Sequence, residues 1–168
     1  MTENALIIGG GTGIGRAAAT ALADGPRRCV VAGRRLEKLE KVCQAYDGVG
    51  QLQARKVDVT DRRQVTELVA WFEDEIGPLS IVVNAAGMNI RDRSMDAMSP
   101  EQWDQVLAVN ATGAYNVLWA VLPVLRAQRS GTIVQISSIA GKRALELAGV
   151  AYASSKFAMT ALGTAVGQ

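Results

Sequence analysis

Ala5-Leu6-Ile7-Ile8-Gly9-Gly10-Gly11-Thr12-Gly13-Ile14-Gly15-Arg16 is the stretch that decides how the rest of the chain folds. Four apolar residues closed by a glycine cluster read as a short buried strand. Ile14, Ala17, Ala18, Ala21 and Leu22 then recur at helical spacing along one face. A strand entering a helix through glycines suits a pyrophosphate for two reasons. Glycine lets the backbone approach a ligand closely, and the first helical amides are free donors at the positive end of the helix dipole. The spacing Gly9-x-x-x-Gly13-x-Gly15 is wider than the usual dinucleotide fingerprint, and a tight connection without a ligand has the same composition. No Gly-Lys-Ser/Thr follows, which argues against a nucleoside triphosphate loop.

Outward from that turn, strands and helices alternate. Arg28–Gly33 reads as a second strand, followed by a helix through Leu36, Leu39 and Val42. Gln51–Val59 reads as a third strand, with Thr60 or Asp61 capping a helix that carries Val65, Leu68, Val69, Phe72 and Ile76 on one face. Leu79–Val83 is a fourth strand, closed by Asn84-Ala85-Ala86-Gly87. Ser99-Pro100-Glu101-Gln102 has a capping-box arrangement, and a long helical pattern runs from Trp103 to Leu125, with bends expected at Gly113 and Pro123. Gly131–Ile136 is a fifth strand, and a helix runs from about Ala151 to the end. Strands separated by helices imply right-handed crossovers and a doubly wound parallel α/β sheet of Rossmann type, three layers thick. Ligands bind such sheets at the strands' carboxyl ends, where every polar cluster of this chain falls.

At 168 residues, 49% hydrophobic and 20% charged, the chain is most simply one domain with an apolar core. Net charge is +2 without a basic run, so nucleic acid is not an expected partner. The absence of histidine excludes Ser-His-Asp catalysis and histidine-based metal sites, and Cys29 and Cys43 make no metal motif. Met1-Thr2-Glu3-Asn4 lacks the charge pattern of a secretory leader, and the apolar stretch Val117–Leu125 is too short for a bilayer. A cytoplasmic setting without a membrane partner is therefore expected.

Tyr152-Ala153-Ser154-Ser155-Lys156 carries the chemistry. Residues four apart share a helix face, so the phenol and the ammonium lie side by side. A free tyrosine titrates near 10, roughly three pH units too high for proton exchange at neutrality. A neighbouring cation favours the phenolate, and such a tyrosine can give a proton to a carbonyl or take one from an alcohol. A surface Tyr/Lys pair without function has the same pattern.

Gly9-x-x-x-Gly13-Ile14-Gly15, Asn84-Ala85-Ala86-Gly87, Asn110, Ile136-Ser137-Ser138 and Tyr152-x-x-x-Lys156 occur in this order, and with them the chain resembles the short-chain dehydrogenase/reductase family. The resemblance implies that Tyr152 is the general acid/base and that Lys156 lowers its pKa and holds the nicotinamide ribose. Ser138 would hold the substrate oxygen, with Ser137 the competing choice. Asn110 would hold a water of a proton relay by bending its helix. Asp58 would accept from the adenine amino group beside the Val59 backbone; the lesser alternative is a neighbour of a helix cap. Asn84, Ala85, Ala86 and Gly87 would pack beside the adenosine half and steady the central strands. Gly9, Thr12, Gly13, Ile14 and Gly15 would surround the phosphates. Ile8 stands where the family commonly has threonine. No metal is implied.

The second strand ends in Gly33-Arg34-Arg35, with two guanidinium groups and no carboxylate. An acid there would select a 2′-hydroxyl, whereas Arg34 and Arg35 can grip a 2′-phosphate, so NADP(H) is favoured over NAD(H). Both arginines can also be read as solvated residues at a helix start. The expected function is an NADP(H)-dependent oxidoreductase interconverting a small carbonyl compound and an alcohol. Family members usually continue into further strands and a substrate loop. The chain is therefore expected to be truncated, leaving the fifth strand as an edge, and the alternative is a dinucleotide-binding module without turnover. Met88–Met98 and Gly141–Val150 are expected to border the substrate. Trp119, Val121 and Phe157 exceed what one sheet face needs, and the family resemblance implies a homodimer or homotetramer.

Overall fold

The computed structural model describes residues 3–167. Its elements are β1 (Asn4–Ile8), α1 (Gly13–Ala23), β2 (Arg28–Gly33), α2 (Leu36–Gln44), β3 (Gln51–Lys56), α3 (Arg62–Glu75) and β4 (Leu79–Asn84). These are followed by α4 (Pro100–Leu107), a π-helical turn (Ala108–Thr112), α5 (Gly113–Gln128), β5 (Thr132–Gln135) and α6 (Val150–Val166). Two 3-10 turns, Ile139–Gly141 and Glu146–Ala148, link β5 to α6.

All five strands pair in parallel in the order β3-β2-β1-β4-β5. β1 is central and wholly buried, and its alternating side chains feed two cores. Leu6 and Ile8 join Val30, Ala32, Val82, Phe72, Val117 and Val121 under α3 and α5, while Ala5 and Ile7 join Cys29, Val31, Val83, Ala19 and Leu39 under α1 and α2. Helices thus cover both faces, and the Rossmann-type expectation holds.

Several boundaries differ from the sequence reading for physical reasons. β3 ends at Lys56, not at Val59. Asp58 turns the chain by accepting from Thr60 N and Oγ1, at 3.0 and 2.8 Å, and Asp61 then caps α3 by accepting from Gln64 N. The capping box of Ser99 and Gln102 forms as expected. The long helix departs from regular winding before Gly113, in the π-helical turn, while Pro123 lies inside an α5 that continues to Gln128. Val121 is fully buried in the core, so it is not surplus apolar surface; Trp119 is 57% exposed and Phe157 42%. The run from Pro100 to Gln128 is also longer than the Val117–Leu125 stretch. Its length and composition would allow a membrane crossing, but half of its apolar window is buried inside the fold as a core helix.

Candidate functional site

The chain leaves β1 toward β2 and returns on its other side through β4, so a crevice opens between the carboxyl ends of β1 and β4. Two turns meet there. Gly9 has φ +82°, and a Cβ on it would lie 2.6 Å from the Ala85 carbonyl carbon and 2.6 Å from Ala86 N. A Cβ on Gly15 would run into the Gly9 carbonyl, so the start of α1 can lie against β1 only without side chains. The turn is tied to both neighbours: Gly9 N donates to Ala32 O at 2.8 Å, and Ala85 N donates to Ile8 O at 2.8 Å. Thr12 stands at the N-cap of α1 but its side chain caps nothing, which leaves the first amides of α1 without a side-chain acceptor. Beside Gly13 a Cβ would meet nothing within 4 Å, and Ile14 is 63% exposed at the turn's tip.

A cavity of about 660 Å³ fills the crevice. Gly9, Thr12, Gly13, Ile14 and Gly15 line it, with Arg34, Arg35, Val59, Ala85, Ala86, Gly87, Ser138, Tyr152 and Lys156. Its charged lining is wholly cationic among the described residues: Arg34, Arg35, Lys38, Arg93 and Lys156, with no Asp or Glu. None of these five is in an ion pair, the pairs among the described residues being Arg27–Glu3 and Arg63–Glu67.

At the far wall, α6 presents Tyr152 and Lys156 one turn apart. Lys156 is 4% exposed, and its Nζ donates to Ile136 O at 2.8 Å and lies 5.6 Å from the Tyr152 ring centroid. Burial pushes the ammonium below the usual lysine range, and the Ile136 carbonyl offsets part of that desolvation. Both serines after β5 line the cavity, but their hydroxyls bond differently. Ser137 Oγ lies 2.7 Å from Thr160 Oγ1 and 3.3 Å from Lys156 O, so it holds α6 in place. Ser138 Oγ accepts from Ala140 N at 3.1 Å, lines the cavity and donates to no group among the described residues. Gly141 permits this packing, since a Cβ there would sit 2.5 Å from Lys156 O.

Three of the expected residues stand behind the lining. Asn84 is buried; its Nδ2 donates to Gln135 Oε1 at 2.8 Å and its Oδ1 accepts from Ala86 N, so it joins β4 to β5 and shapes the turn. Asn110 lies in the π-helical turn with no exposed surface. Its Oδ1 accepts from Met88 N at 2.8 Å, and its Nδ2 donates to Met88 O at 2.8 Å and to Ser155 Oγ at 3.0 Å. Ser155 in turn donates to Tyr152 O, so Asn110 couples the loop after β4 to the turn bearing the phenol. Asp58 is half-buried between the lining residues Val57 and Val59, with Oδ1 taken by Thr60 and no bond to Oδ2 among the described residues.

The sequence reading did not single out Lys38 or Arg93, because an isolated cation in a polar stretch looks like any solvated one. Met88, Asn89 and Arg93 on one side and Leu145, Leu147 and Ala148 on the other line the cavity, within the two segments expected to border the substrate. Asn116 was also missed. Its Nδ2 donates to Val59 O at 2.8 Å and its Oδ1 accepts from Arg62 Nε at 3.0 Å, fixing α5 against the cavity wall.

A family model described as short chain dehydrogenase matches residues 3–168. An uncharacterized oxidoreductase of Listeria monocytogenes is 35% identical over 155 residues, which are 92% of this chain and 62% of that protein. The 2,3-dihydro-2,3-dihydroxybenzoate dehydrogenase of Bacillus subtilis is 37% identical over 156 residues, 92% of this chain and 59% of that protein. The chain thus spans less than two thirds of the length of either relative. Among solved structures, a short-chain type dehydrogenase/reductase from Mycobacterium ulcerans matches with a TM-score of 0.89 at 26% identity, over 95% of this chain and 59% of that one. An alcohol dehydrogenase from Thermococcus sibiricus, complexed with 5-hydroxy-NADP, gives a TM-score of 0.88 at 27% identity over 96% of this chain and 68% of that one. Because the family match runs through the glycine turn, the strand ends and the helix of Tyr152 alike, the chain belongs to the short-chain dehydrogenase/reductase family.

Proposed function

We propose that the crevice binds NADP(H) and that the chain interconverts a carbonyl compound and an alcohol with Tyr152 as general acid/base. One observation carries this reading: the glycine turn, the Arg34–Arg35 end of β2 and the Tyr152–Lys156 pair line a single cavity. The residues present fit a dinucleotide. The open space beside Gly13 and the side-chain-free amides of α1 suit a diphosphate. Arg34 and Arg35 suit a 2′-phosphate, and no carboxylate at that place opposes it. The similar Thermococcus sibiricus enzyme was crystallised with an NADP derivative. Asp58 Oδ2 is the acceptor we assign to the adenine amino group.

When bound, the nicotinamide supplies or accepts the hydride. Tyr152 Oη gives its proton to the carbonyl oxygen, or takes one from the alcohol, while Ser138 Oγ–H holds that oxygen in line. Lys156 sets positive potential beside the phenol, and with one hydrogen on Ile136 O and one toward Met159 Sδ its third is left for a ribose hydroxyl. The side chain of Asn110 makes three hydrogen bonds within the protein, so it acts by positioning: it fixes Met88 and the first turn of α6, and its irregular helical turn is where a relay water would dock. Tyr115 and Trp119, stacked at 6.1 Å on the outer face of α5, together with Phe157, are the surface we assign to pairing of two copies. A monomer by light scattering at micromolar concentration would contradict that assignment.

A second reading, binding without turnover, is favoured by the openness of the substrate side, where Ile139 is 54% and Leu147 85% exposed and water has free access. The two separate in one assay. NADPH oxidation is followed with a panel of aldehydes and ketones for the wild type and Tyr152→Phe, beside fluorescence titration of NADPH. Turnover that drops about a hundredfold or more in the variant supports the oxidoreductase. NADPH binding with equal background rates in both proteins supports the second reading.

A further inference from the structure

The cavity has cations at both ends, and a dinucleotide accounts for only one end. Arg34, Arg35 and Lys38 lie around the end of β2, where a 2′-phosphate is expected, and Lys156 is engaged by Ile136 O beside the phenol. Arg93 remains. Its backbone packs on Gly149, which has φ +83° and no room for a Cβ against Arg93 Cβ, and its carbonyl accepts from Val150 N at 3.1 Å. Gly149 is the N-cap of α6 and precedes Tyr152 by three residues, so Arg93 packs against the start of the helix that bears the phenol.

Arg93 is exposed, and its guanidinium is tethered to two backbone carbonyls but not neutralised. Nε donates to Ile90 O at 2.8 Å and Nη1 donates to Leu147 O at 3.0 Å, which leaves Nη2 without a partner among the described residues. No carboxylate pairs with it; Glu146 lines the adjoining hollow of about 810 Å³ but makes no ion pair with Arg93. Arg93, Leu145 and Leu147 line both that hollow and the main cavity, so the guanidinium stands at their junction, beside two apolar side chains. A tethered guanidinium with a free donor edge beside the side chains of Leu145 and Leu147 suits a molecule with an apolar body and one planar anionic group.

We infer that the substrate of this site is an oxo acid or hydroxy acid whose carboxylate is bound by Arg93 while its carbonyl or hydroxyl faces Tyr152. This rests on the oxidoreductase reading for the position of the reacting carbon, but the carboxylate site can be tested without turnover. The probes are 4-oxopentanoate and benzoylformate, each beside its methyl ester. Binding to the chain saturated with NADP⁺ is measured by calorimetry, and kcat/KM is measured with NADPH, for the wild type, Arg93→Met and Arg93→Lys.

For the wild type, at least one acid is expected to bind roughly tenfold or more tightly than its ester, with a preference that shrinks as salt rises. Arg93→Met should bring that ratio to about one, and Arg93→Lys should retain part of it, because the point charge survives without the planar fork. Should the Met variant fail to fold, the Lys variant and the salt dependence decide alone. A wild-type ratio near one, a ratio unchanged in both variants, or no saturable acid binding overturns the inference. Esters reduced in a Tyr152-dependent manner without any acid preference would sink this inference and leave the oxidoreductase reading standing. An Arg93-dependent acid preference in binding, with no turnover of any probe, would do the reverse.

Discussion

Replacing Asn110 by alanine tests how the loop after β4 is held to the helix of the phenol. The side chain makes three hydrogen bonds with no exposed surface, two to the N–H and C=O of Met88 and one to Ser155 Oγ. Truncation leaves both Met88 backbone groups without these partners in a half-buried site, at about 1–3 kcal/mol each for groups that water does not reach. Water can recover part of that for Met88, so Asn110→Ala is expected to lose about 3 kcal/mol. For a domain of this size that lowers Tm by roughly 6–12 °C. Asn110→Asp separates hydrogen bonding from volume. Its carboxylate still accepts from Met88 N but faces the Met88 carbonyl, and only the protonated acid can donate there. The folded-state pKa of the new group is therefore raised, and its stabilising contribution is present at low pH and lost as pH rises. Urea unfolding at about pH 4 and about pH 8 should show Asn110→Asp approaching wild type only at the lower value. Amide exchange at Met88 reports the same link directly and should accelerate in Asn110→Ala, which removes the acceptor of that amide. Asn110→Ala within about 0.5 kcal/mol of wild type, with Met88 exchange unchanged, would refute the linkage argued here.

Gly15→Ala places a methyl group against the Gly9 carbonyl, a backbone atom that cannot swing away. A loss of more than about 2 kcal/mol in urea unfolding and weakened NADPH binding by fluorescence are expected. Arg34→Ala should raise the Kd for NADPH roughly tenfold or more and leave that for NADH nearly unaltered, by parallel titrations; an unchanged preference would show that Arg34 does not read the phosphate. Burial pushes the Cys29 thiol up to about 11, so it should resist thiol reagents at neutral pH in the folded chain, whereas both cysteines react in guanidinium. Since the folded form keeps that proton longer, the associated stability is complete below about pH 9 and falls by about 3 kcal/mol as pH rises through 11. Cys29→Ala should lack this alkaline decline when unfolding is followed against pH.

The fold could be read from the sequence wherever burial alone sets the pattern. Ala5–Ile8, Cys29–Ala32 and Ile81–Val83 are apolar without interruption because the sheet is covered on both faces, and such runs declare themselves. The turn glycines and the Tyr152–Lys156 spacing were equally legible, since local geometry dictates both. What escaped depends on distant partners. The serine at position 137 differs from that at 138 only because Thr160 and Lys156 O take its hydroxyl. Asn116 matters because Val59, 57 positions away, presents a carbonyl to it. Val121 looked like surplus apolar surface because a long apolar helix does not show in sequence which of its faces meets the sheet, and this side chain is fully buried. Arg93 became meaningful only when the fold brought Gly149 against it.

That wider winding sets the phase between two halves of one rod. A π-helical turn accommodates one residue more than regular winding would, so α5 is clocked by about 100° relative to an uninterrupted continuation of α4. Excising a single residue between Ala108 and Thr112 would undo the offset and spin the whole downstream segment. Val117 and Val121 would swing toward solvent, Asn116 would leave the Val59 carbonyl, and Asn110 would no longer reach Met88. A one-residue indel here is therefore a rotation of 16 residues.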